Sequence, residues 1–131
     1  MRPVSVILAV ALFLSGCMHR PLPYLSEEDR LQLLTPIECS EPAECDLLWR
    51  KAQVWVATNA GFKIQVISSV IIETYSSSND SFRWAARVIR RPISTSRSEI
   101  EVDFSCGAAN LCRPDAERLT ISFKQYLRRA L

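Results

Sequence analysis

Apolar positions along this chain recur at two spacings, and the switches between them predict the elements. From Ser40 or Glu41 to Ala60 the spacing is helical: Cys45, Leu48, Ala52, Trp55, Val56 and Asn59 fall on one face at intervals of three and four. Pro42 is tolerated in a first turn, and Gly61 is expected to supply a left-handed stop with Phe62 as its hydrophobic contact. Leu47 and Val54 lie on roughly the opposite side of this helix. From Phe62 to Tyr75 the period becomes two, with Ile64, Val66, Val70 and Ile72 on one side and Ile67, Ile71 and Glu73 on the other, which predicts one long strand. Ile67 and Ile71 are then expected to face away from the helices. The turn cluster Ser76 to Ser81 leads to a second strand, in which Phe82, Trp84, Ala86 and Val88 alternate with Arg83, Ala85 and Arg87.

After a polar loop from Arg91-Pro92 to Ser98, Ile100, Val102, Phe104 and Cys106 alternate with Glu99, Glu101, Asp103 and Ser105 in a third strand. Arg83 and Arg87 would meet Glu99, Glu101 or Asp103 across the sheet, a charge match that favours antiparallel neighbours. Pro114-Asp115-Ala116-Glu117 opens a last helix whose Ala116, Leu119, Phe123, Tyr126, Leu127 and Ala130 form a stripe. Arg128 and Arg129 suit its C-terminal end. Leu119 to Phe123 also alternates like a strand, so residues 117–123 stay open between helix and strand. Ser26-Glu27-Glu28-Asp29 before Leu31, Leu33 and Leu34 marks a brief N-terminal helix that stops before Thr35-Pro36. The expected fold class is α+β, a two-layer sandwich in which a three-stranded antiparallel β-meander is flanked in sequence by helices (α-β-β-β-α).

The start of the chain follows a different pattern. Arg2 precedes an uncharged run from Val4 to Leu14 and then small residues, the order of a secretory signal. As a helix that run would rise only about 16 Å, roughly half of a bilayer's hydrocarbon core. Leu14-Ser15-Gly16-Cys17 resembles the lipobox of bacterial lipoproteins. That resemblance covers the signal segment alone, and it implies cleavage before Cys17, with lipid on that cysteine as the membrane anchor. Several acyl chains, at about 0.8 kcal/mol per buried methylene, would make the anchoring effectively permanent. Similarity to enteric lipoproteins implies outer-membrane sorting, because Met18 stands where an Asp would retain the protein in the inner membrane. The expected division is a cleaved signal peptide (1–16), a lipidated cysteine, tether and short helix (17–36), and a single α+β domain (37–131).

Taking the first 17 of 131 residues away leaves 114, enough for one compact domain. Four cysteines remain beyond Cys17, an even number in an exported chain, which predicts two disulfides. Of three formal pairings, Cys39–Cys45 and Cys106–Cys112 are preferred, because each pair has five intervening residues and a turn or helix start between them. A four-thiolate zinc site would want shorter spacings, so no metal is expected.

The search for chemistry finds little. His19, the single histidine, lies in the tether, so histidine-based triads and metal motifs lack a member. Three glycines form no phosphate cradle, there is no C-x-x-C, and no cofactor is expected. Glu99, Glu101 and Asp103 share one strand face, a pattern more often a solvated ion-pair ladder than an acid–base pair. Trp49, Trp55 and Trp84 are expected to pack rather than to bind sugar. Residues 18–50 carry three bases and seven acids, residues 51–131 twelve and seven. An envelope address removes nucleic acid as a partner for the basic set Arg83, Arg87, Arg90, Arg91 and Arg97.

The expectation is a non-enzymatic, periplasm-facing outer-membrane lipoprotein that binds an envelope protein or the cell wall. Its candidate contact surface is the basic loop Arg90, Arg91 and Arg97 with the apolar pair Leu47 and Val54. An inhibitor or immunity-type protein against a hydrolase or toxin is the alternative, and a hydrolase using the strand carboxylates the third reading.

Overall fold

The computed structural model describes residues 25–108 and 111–129. Cys17 with its lipobox, the tether and His19 fall outside them. Among the described residues, three helices and five strands follow as α1 (Glu27–Leu34), β1 (Ile37–Cys39), α2 (Pro42–Asn59), β2 (Ile64–Ile67), β3 (Ile71–Thr74), β4 (Ala85–Pro92), β5 (Ser98–Ser105) and α3 (Ala116–Arg128). The fold is α+β. The strands form one antiparallel sheet in the order β1-β5-β4-β3-β2.

The sheet therefore has five strands rather than the three of the expected meander, for two local reasons. Phe62 to Tyr75 is not one strand but a hairpin, folded at Ser68, whose backbone N–H donates to the Ile71 carbonyl (2.8 Å) while its Oγ accepts from Val70 N and Ile71 N. The register also shifts between Ile64 and Val66, so Ile67 comes opposite Ile72 on the helix side, whereas Ile71 stays on the uncovered side opposite Ile89. The fifth strand is β1, whose Ile37 pairs with Ile100 and Cys39 with Ser98. A second correction concerns the end of α2. Gly61 has no positive φ; the helix stops because Ala60 turns extended (φ −71°, ψ 149°), and Gly61 N donates to the Trp84 carbonyl at 2.8 Å.

Alternation sorts the sheet into a dry and a wet face. Ile37, Ile72, Val88 and Ile100 point to the helices and are buried with Leu48, Ala52, Trp55 and Val56 of α2 and Phe123 and Leu127 of α3. Trp55 stacks edge-on against Phe123 (5.2 Å, 86°) and tilted against Phe104 (5.6 Å). A fully enclosed side chain such as Phe123 contributes roughly 1.5–3 kcal/mol relative to an exposed one.

Residues 117–123 are helical, with Asp115 as N-cap accepting from Arg118 N at 2.9 Å. The strand-like alternation has a tertiary cause. Leu119 and Phe123 face the main core, whereas Ile121, buried outside that cluster, lines a depression with Asp29 of α1. α3 is thus covered on two sides. Both preferred disulfides form, Cys39–Cys45 with its sulfurs inside the core and Cys106–Cys112 in the loop before α3.

Candidate functional site

The candidate surface is built on the β4–β5 hairpin and α2. The hairpin turn is closed by Ile93 N to Arg97 O (2.9 Å) and Ser94 N to the same carbonyl (3.2 Å). Arg90 and Arg91, adjacent on β4, point to opposite faces of the sheet. Arg90 reaches α2 and pairs with Asp46 at 2.9 Å, while Arg91 pairs with Glu101 on the uncovered face at 2.6 Å. Arg97 pairs with Glu38 of β1, also at 2.6 Å. The structure therefore divides the five residues. Arg90 lies beside α2, where Leu47 follows Asp46 in sequence, and Val54 sits two turns on; both apolar side chains are exposed (38% and 53%). Arg91 and Arg97 belong to the other face.

Arg90 and Arg91 lie on β4 rather than in the expected basic loop, and each of the three arginines meets a carboxylate of another strand or helix, so the hairpin is neutralised by its own fold. An exposed pair of this kind contributes about 0–1 kcal/mol. An anionic ligand would have to displace Asp46, Glu101 or Glu38.

The uncovered face carries Glu99, Glu101 and Asp103 in alternation, as the period of β5 predicts. Asp103 lies opposite Arg87, and Arg87 makes its ion pair with Glu73 at 3.7 Å. Arg83, expected in the same ladder, lies before β4, where its guanidinium sits 4.8 Å over the Phe62 ring and donates to the Gly61 carbonyl. Ile71 and Ile89 form the apolar centre of the face. Near its edge is a shallow depression lined by Glu73, Ser76, Ala85, Arg87, Asp103 and Ser105. Acids and guanidiniums laid out in ladder register can hydrogen-bond and pair ions.

Two sites escaped the sequence reading. At the first, Lys124 Nζ donates to the carbonyls of Leu33 (2.5 Å) and Thr35 (2.9 Å), and Arg128 to Thr35 O (2.8 Å) and Gln32 Oε1. These cations complete the C-terminal end of α1, where carbonyls lack partners and the helix dipole is negative. Burial, then the neighbouring Arg128 charge, lowers the Lys124 pKa, with Glu99 opposing; burial also lowers that of Arg128. The signal was present, since α1 has no basic residue in its last turn while Lys124 and Arg128 are four apart on α3.

The second is the loop end from which α3 starts. Here the 75–84 and 106–114 segments pack on one another: Ala108 N donates to Ser81 O (3.0 Å) and Trp84 Nε1 to Pro114 O (2.9 Å). Trp49, Trp55 and Trp84 are all buried, as expected, whereas Tyr75, Phe82 and Leu111 of these segments are exposed.

Among the described residues, no group of His, Cys, Asp or Glu could hold a metal ion, and no helix is long and apolar enough to cross a membrane. No family model, curated protein or solved structure matches the chain.

Proposed function

We propose that this protein is a non-enzymatic lipoprotein of the bacterial outer membrane, anchored through acyl chains on Cys17 and facing the periplasm. Its disulfide-stapled domain serves there as a binding module for another envelope protein or the cell wall. The observation that carries the reading is Ser15-Gly16-Cys17 directly after an apolar run of eleven residues, Val4 to Leu14, whose last leucine completes the lipobox. Leu25, the first described residue, follows Cys17 by 25 − 17 = 8 positions, so even an extended linker would hold the domain within about 29 Å of the lipidated cysteine. Partners are then membrane-proximal. The α2 side, with Leu47, Val54 and Arg90, and the hairpin side, with Arg91 and Arg97, are the two surfaces offered to them.

Labelled palmitate is expected to enter the wild-type protein, and Cys17→Ala to lose both the label and membrane fractionation. A wild-type mature protein that is unlabelled and free in the periplasm overturns the reading. Cross-linking from envelope membranes should recover a partner whose yield drops when Leu47 and Val54 are changed together to Ser.

A further inference from the structure

We infer that the sandwich stands on the membrane by its loop end, with Phe82 and Leu111 entering the interfacial layer of the phospholipid bilayer; this rests on lipidation of Cys17. Leu25, where the linker meets the domain, leads into α1. α1 lies along α3 and runs in the same direction: Asp29 lines a depression with Arg118, Ile121 and Ser122, while Gln32, Leu33 and Thr35 further on meet Lys124 and Arg128. Leu25 therefore lies toward the end where α3 begins. α3 begins at Ala116, just after the Cys106–Cys112 loop, and the Trp84–Pro114 hydrogen bond holds Phe82 in the same region.

This end is suited to an interface. Phe82 is 63% exposed and Leu111 65%, the second inside a disulfide-closed loop and the first on a loop hydrogen-bonded to it through Ser81. Residues 60–63, 75–84, 106–108 and 111–115 carry Lys63, Arg83 and Arg113 against Asp80 and Asp115, so cations accompany the apolar tips where headgroup phosphates would lie. Glu27, Glu28 and Asp29 flank the first turn of α1 and would meet the ammonium groups of phosphatidylethanolamine. Apolar exposure by itself does not choose this end, because Ile67, Val70 and Ile93 are exposed elsewhere and Leu31 and Leu34 on α1. The placement of Leu25 toward the start of α3 chooses it. A tethered domain needs only weak contact, since the anchor keeps it at high effective concentration beside the bilayer.

The test uses the full mature lipoprotein, carrying photoreactive benzoylphenylalanine at position 82, 111, 34, 54 or 93. Each version is reconstituted into vesicles of phosphatidylethanolamine and phosphatidylglycerol, illuminated, and its adducts identified by mass spectrometry. All five positions are exposed, and intact disulfides in each version report a preserved fold. Phospholipid adducts are expected at 82 and 111 in several-fold higher yield than at 54 and 93, with position 34 below both. Yields at 34, 54 or 93 that match or exceed those at 82 and 111, or an absence of lipid adducts at 82 and 111, overturn the orientation. Adducts there to a second copy of the protein would overturn it as well. Palmitate labelling of the same preparations separates the two failures: without label the anchoring itself falls and this orientation with it, whereas label without adducts at 82 and 111 removes the orientation alone.

Discussion

The two ends of the sandwich carry the same staple, Cys-x5-Cys, in different surroundings. Cys39–Cys45 joins the end of β1 to the first turns of α2, and both cysteines are almost fully buried in the main core. Cys106–Cys112 closes a loop on the other end, with Cys112 buried but Cys106 only partly so. Loop-closure entropy is the same for both, about 2.4 kcal/mol for seven residues. Any difference in their worth must come from what surrounds the sulfurs. The first disulfide encloses both sulfurs in the packing between sheet and helix; the second sets Cys112 in the same core and leaves Cys106 partly exposed against it. Equal spacing in sequence thus says little about equal importance.

Removing each staple measures that difference. Cys39→Ala with Cys45→Ala is expected to cost about 4–5 kcal/mol, because the loop entropy is joined by the packing of two sulfurs enclosed in the core. Cys106→Ala with Cys112→Ala should cost about 3 kcal/mol, the loop entropy joined by the packing of one enclosed sulfur rather than two. Urea denaturation of both double variants checks the ranking, and equal midpoints would contradict the account. A finer probe of the loop end is Gly107→Ala. A Cβ at Gly107 would collide with the Ser78 carbonyl, so the two loops must separate, at about 2 kcal/mol. If the midpoint does not move, the loops are less tightly held than their hydrogen bonds imply.

The same contrast governs how much could be read in advance. α2 and the β4–β5 pair announce themselves by long periods and the disulfides by spacing and parity, whereas α3 shows its start signal but alternates like a strand over residues 117–123. The β2–β3 hairpin does not, because alternation runs through Ser68 to Val70 with no Gly or Pro, and a serine side chain makes the turn. β1 has only three residues, too few for a period to show. Gly61 looked like a left-handed helix stop, yet its backbone is ordinary and its small size matters because Arg83 and Trp84 approach it closely. The arginines were visible and their partners were not: Arg97 finds Glu38 across 59 residues of sequence and Arg90 finds Asp46 across 44. A charge looks available in sequence until the fold supplies its counterion.

Arg97 gives the smallest expected effect at the more deeply stapled end. Its guanidinium holds Glu38 at 2.6 Å, and both side chains are close to half exposed. Solvent screening then limits the pair to about 0–1 kcal/mol, and salt should weaken it further. Arg97→Ala is therefore expected to shift stability by no more than about 1 kcal/mol, with the shift shrinking in high salt. Thermal unfolding of wild type and variant at two ionic strengths reads this directly. If the loss is larger and independent of salt, the pair is part of the packing around Cys39–Cys45 rather than a surface contact. The proposed partner surface at Arg91 and Arg97 would then be structural, leaving the α2 side with Leu47 and Val54 as the remaining candidate.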